Sequence, residues 1–127
     1  MSQRFRDVGS VATGALFIAA GTLHFRFTRP YEAIVPPLFP AHRELVLISG
    51  ACEILGGVGV LFRPTRRYAA WGLIALLVAV FPANVYMVVD ARRFSQLAPS
   101  WALAARLPLQ TLFVWWIYAV GAKPRRG

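Results

Sequence analysis

Four long apolar runs, separated by clusters of charge, constrain this 127-residue chain more than any motif in it. Val8 to Phe25 has no charge except one that His24 can acquire, Leu45 to Phe62 carries only Glu53, and Tyr68 to Val89 carries none. A bilayer core of roughly 30 Å takes about 20 helical residues to cross, so each run predicts a transmembrane helix (8–25, 45–62, 68–89). The fourth, Leu107 to Ala122, reaches that length only if it starts near Ser100 and takes in Arg106, which gives a predicted span over 102–121. With 57% apolar and 15% charged residues, nothing is left over for a water-exposed domain. The expectation is all-α: one domain over 1–127, an integral membrane four-helix bundle whose first partner is the lipid bilayer.

A competing reading takes the first run as a cleaved signal peptide, with Arg4 and Arg6 ahead of it and Ala19-Ala20-Gly21 as the cleavage site. Against it, the run continues through Leu23 and Phe25, and the later spans need a partner for their polar faces. Orientation follows from Lys and Arg at the span ends, because positive residues are retained in the cytoplasm. Arg4, Arg6, Arg63, Arg66, Arg67, Lys123, Arg125 and Arg126 fall on one side; Arg26, Arg29, Arg43, Arg92, Arg93 and Arg106 fall on the other. Arg43 and Arg106 sit at or inside span ends and can serve a site, which sharpens the bias and predicts both termini in the cytoplasm. Tyr68, Trp71, Trp115, Trp116 and Tyr118 read as headgroup-level anchors. The net charge of +9 flanks apolar spans without forming a basic stripe, so it points to anionic lipid headgroups and not to nucleic acid.

The connection over 26–42 is apolar yet carries Pro30, Pro36, Pro37 and Pro40, so most of it cannot be regular helix. Irregular backbone is tolerated at membrane depth only against protein or a water-filled cavity. The segment is therefore expected to fold back on the outer mouth of the bundle or dip into the interface, as a lid or as a plain plug.

Polar side chains within the spans are costly in lipid and must face the bundle or a cavity. They are His24, Glu53, Asn84, Arg106 and Gln110. At 1.5 Å of rise per residue, Glu53 lies about 12 Å and Asn84 about 8 Å below the outer ends of their spans, while His24, Arg106 and Gln110 lie near theirs. All five therefore fall in the half of the membrane beneath the Pro-rich segment, and together they form the candidate ligand-binding set. Ser49, Gly50, Gly56 and Gly57 surround Glu53 at helical spacing, a stripe that lets another helix approach closely. A carboxyl there is either protonated and hydrogen-bonded or paired with a cation, for which Arg106, Arg43 and His24 are candidates; it either handles a proton or ligand or fixes helix register. Pro82 deprives the Val78 carbonyl of its donor, and the Asn84 amide is placed to restore hydrogen bonding at the kink.

The templates of catalysis find little support. Cys52 stands alone, so no thiol pair forms within one chain. Two histidines and scattered carboxylates give no metal site, although His24 stays open as a haem ligand. The run Gly56-Gly57-Val58-Gly59 lies in mid-membrane, away from any phosphate-loop context.

Gly21-Thr22-Leu23-His24-Phe25, Ile34-Val35-Pro36-Pro37 with Pro40, Ser49-Gly50-Ala51-Cys52-Glu53 with Gly56-Gly57, and Phe81-Pro82-Ala83-Asn84 together resemble the DoxX-like family of small bacterial membrane proteins. The resemblance implies a four-helix bundle in the bacterial inner membrane and a loose link to redox chemistry, with a membrane or redox protein as partner. Lack of paired cysteines argues against thiol exchange. Two function classes result. One is a non-catalytic membrane subunit or module binding a quinone or other lipid-like molecule through His24, Glu53, Asn84, Arg106 and Gln110. The other is an enzyme, a quinone-linked oxidoreductase component in which Glu53 or His24 transfers a proton. The first is preferred, because electron transfer needs a cofactor that the sequence gives no clear means of holding.

Overall fold

The computed structural model describes residues 2–124; Met1 and the predicted cytoplasmic charges Arg125 and Arg126 lie outside them. Five α-helices follow in order: α1 (Gln3–Arg26), α2 (Thr28–Ala33), α3 (His42–Leu61), α4 (Arg63–Val89) and α5 (Ser100–Ile117), the last continuing as a π-helical turn (Tyr118–Ala122). No strand occurs among the described residues. Four of the helices are long and apolar enough to cross a membrane, the fourth being Ser100–Ala122. The all-α, multi-pass membrane bundle follows. Val8, Val11, Leu55, Val78 and Leu112 are exposed, which would be a liability in water but is the natural surface in lipid.

Local chemistry sets the helix ends. Ser2 caps α1 by accepting from the Phe5 amide. The third helix in the membrane starts earlier than the apolar run implies: α4 opens at Arg63 with Pro64 in its first turn, where a missing N–H leaves no bond unmade. Residues 26–42 are partly helical, because Pro30 falls within the first turn of α2 and is tolerated there. Irregular chain resumes after it and ends at Ala41, whose φ of 55° puts a non-glycine residue in the left-handed region.

α1 and α3 run antiparallel along a glycine seam. A Cβ on Gly14 would lie 2.6 Å from the Gly57 carbonyl, and one on Gly57 would lie 2.8 Å from the Gly14 carbonyl; seven residues on, Gly21 and Gly50 repeat the arrangement at 2.5 and 3.0 Å. Backbone meets backbone, so no side chain fits between the helices. The small residues flanking Glu53 therefore serve two neighbours, since Gly56 on the adjoining face receives Leu73 of α4.

The end of the bundle that holds both termini is solid. Phe17, Val60, Ala70, Leu73, Ile74 and Ile117 form a buried core there. Beneath it lies a polar knot that the sequence reading counted as loop charges. α3 ends at Leu61, so the Val60 carbonyl has no helical donor, and Arg66, 6% exposed, supplies one: its Nε reaches that oxygen at 2.8 Å. Its Nη1 donates to Asp7 at 2.7 Å, and Arg63 donates to the same carboxylate. Arg6 closes the other side by donating to the Lys123 carbonyl at 2.6 Å, while Ser10 donates to that of Val120 at 3.2 Å. Trp116, expected to be an interfacial anchor, packs inward and donates to the Thr13 hydroxyl at 2.9 Å.

Candidate functional site

At the opposite end the four spans leave a cavity of about 560 Å³. His24, Glu53, Asn84, Arg106 and Gln110 all line it, one or two from each long helix, so the fold brings the five to one chamber. Residues 26–42 cover the mouth: Tyr31, Ile34, Val35, Pro36 and Phe39 belong to the wall. Below, Leu76, Leu77 and Phe113 make an apolar floor, and Phe113 rests on Phe17 of the packed core at a ring distance of 5.7 Å.

Glu53 lies on α3, which begins at the cavity end. Helical side chains lean toward their helix N-terminus, so the carboxyl reaches up toward the mouth and toward His24. The His24 ring is fixed on both sides. Its Nδ1 lies 2.8 Å from the Ala20 carbonyl, which can only accept, so Nδ1 carries the proton; its face stacks on Tyr31 at 4.0 Å with the planes 16° apart. Glu53 Oε2 is 3.3 Å from the same Nδ1, within ion-pair distance, yet the single hydrogen there is already directed at Ala20. The carboxylate oxygen is thus buried without a hydrogen-bond donor. Of the expected partner cations, His24 is adjacent, Arg106 is exposed to the same chamber, and Arg43 is exposed and absent from its wall.

Contrary to expectation, Asn84 does not donate to the Val78 carbonyl that Pro82 leaves free. Its amide donates to the Gln110 side chain of α5, and Gln110 in turn donates to the Leu77 carbonyl at 2.7 Å. The relay ties α4 to α5 where proline has weakened the α4 ladder. Asn84 and Gln110 thereby brace the chamber wall, while Glu53, His24 and Arg106 retain free polar capacity.

Tyr31 was missed in the sequence because it lies in the connection, outside the spans where polar groups were sought. Burial pushes its phenol above the ordinary range, the Glu53 charge adds to this, and Arg106 opposes it. One aromatic hydroxyl therefore senses both charged groups. Among the described residues no cluster of three His, Cys, Asp or Glu side chains could hold a metal ion.

The family model described as "Domain of unknown function (DUF8561)" matches residues 13–121, and the chain belongs to that family. The match takes in nearly all of the four spans and every residue of the chamber named above. No curated protein and no solved structure matches the chain.

Proposed function

We propose that this member of the family is a membrane-embedded binding module for a small amphipathic, lipid-like molecule, of which a quinone is one chemical example, and that it acts as a non-catalytic membrane subunit. The observation that carries the reading is the buried Glu53 oxygen without a donor, facing a chamber with an apolar floor. Small-molecule sites run to roughly 300–1,000 Å³, mainly apolar with a few convergent polar groups, and the chamber has that size and character. Leaving a buried carboxyl oxygen unpaired is costly, and a bound head group offsets that cost.

The DoxX-like kinship belongs to the same proposal, as does a bacterial inner-membrane location with both termini cytoplasmic. Reporter fusions after Gly127 and within 63–67 are expected to report the cytoplasm, and fusions near Pro36 or Ser95 the opposite side; a C-terminal fusion reporting the far side contradicts the orientation. The binding proposal is tested by purifying the protein in mild detergent and identifying co-extracted molecules by mass spectrometry. A near-stoichiometric amphiphile with wild-type protein that is lost with Glu53→Leu supports it. Equal recovery from both proteins, or no such molecule from either, contradicts it.

A further inference from the structure

The chamber's polar groups also select the head that would bind there, an inference that rests on the binding role just proposed. The acceptors come first. Glu53 Oε2 lacks a donor, and the Nδ1 hydrogen of His24 is committed to the Ala20 carbonyl. Ser49 donates to the Val46 carbonyl, the Asn84 amide donates to the Gln110 side-chain oxygen, and the Gln110 amide donates to the Leu77 carbonyl. The strong donor left is the Arg106 guanidinium, which enters from α5 and has no hydrogen-bond partner among the described residues. The wall thus presents one carboxyl and one guanidinium, with Tyr31 in the field of both.

A cationic head would gain from Glu53 and be opposed by Arg106, and an anionic head would meet the reverse. A neutral head carrying both a donor and an acceptor hydrogen-bonds to each group without bringing a charge that either one repels. Ile48 and Leu109 line the chamber while being 60% and 58% exposed, so its wall is continuous with the lipid-facing surface. An apolar tail can lie on the floor or pass out between these residues. We propose that the ligand is an uncharged amphiphile whose head donates a hydrogen bond to Glu53 and accepts one from Arg106, such as a hydroxyl beside a carbonyl oxygen, and that it enters from the bilayer.

The test uses the full chain in phosphatidylcholine nanodiscs with three probes of equal tail length: monodecanoylglycerol, decylamine and decanoate. Binding is read by equilibrium dialysis with mass spectrometry. Monodecanoylglycerol is expected to bind wild type about tenfold or more tightly than either charged probe, and Glu53→Leu and Arg106→Leu each to weaken it by a similar factor. Glu53→Gln, which keeps the shape of the side chain, provides a folded comparison. Tighter binding of decylamine or decanoate overturns the head-group assignment while leaving the binding role standing. If no probe binds wild type better than an Ala83→Phe protein with the chamber filled, the binding role falls with it. Thermal unfolding of the single and double Glu53 and Arg106 variants without amphiphile adds a check: additive shifts are expected, and strong coupling would mean that the two side chains pair directly and leave the head nothing to bind.

Discussion

The two ends of this bundle are built from the same helices in opposite ways. At the terminal end, small residues bring helices into contact, buried apolar side chains fill the interior, and the buried Arg66 has a partner for each donor that points inward. At the loop end, α1 and α3 still touch at Gly21 and Gly50, but the four spans together enclose about 560 Å³ of space, and the buried carboxyl oxygen has no donor. A chain of 127 residues that can pack one end so completely does not leave the other hollow for lack of apolar side chains. The difference teaches that polarity in a membrane interior takes two forms: paired, it locks helices together; unpaired, it leaves a buried group with unmet hydrogen-bonding capacity, on which the binding proposal rests.

That contrast predicts unequal costs. Arg66→Ala removes the donor to the Val60 carbonyl and one of the two arginines on Asp7, and it should lower stability by about 3 kcal/mol, because a buried charge network is broken from one side. Thermal unfolding in detergent measures this; a loss no larger than for an exposed arginine would show that the knot is ornamental. Gly57→Val should come next, at about 2 kcal/mol or more, since any Cβ there meets the Gly14 backbone and α1 must move away. Gln110→Leu leaves the Asn84 amide and the Leu77 carbonyl without their partner and should cost about 1 kcal/mol, the scale of a hydrogen bond between membrane helices. The smallest stability effect is expected at Glu53→Gln, within about 0.5 kcal/mol by the same scale, because no hydrogen bond to the carboxyl is lost. A large loss there would mean that His24 and Glu53 form a structural pair and that the loop end resembles the terminal end.

How much of this could be read from the chain follows from which forces leave a linear trace. Spans were legible because lipid imposes a composition on every residue that crosses it, and α3 and α4 end within a few residues of where hydropathy puts them. The depth of Glu53, Asn84 and Gln110 was legible from helical rise alone, and so was the small-residue stripe. The pairing of Gly14 with Gly57 was not, because close approach depends on the register of two helices and each glycine looks the same on its own. Arg66 was misread for a related reason: a cation at a span end suits the membrane surface, and only the orphaned Val60 carbonyl at the end of α3, together with Asp7 from 59 residues away in sequence, turns it inward. Arg43 shows the converse, a span-end cation that does stay at the surface.

The central claim, that one end is scaffold and the other a binding chamber, is tested most directly by placing the same large side chain in each. Ala70 is fully buried in the packed core, and Ala83 lines the chamber. Thermal unfolding and co-extracted amphiphile should be measured side by side for Ala70→Phe and Ala83→Phe. Ala70→Phe should be destabilised by about 3 kcal/mol, since overpacking forces helices apart, whereas Ala83→Phe should unfold within a few degrees of wild type yet carry no bound amphiphile. An Ala83→Phe protein that unfolds as readily as Ala70→Phe, or that keeps its full complement of amphiphile, would contradict the account.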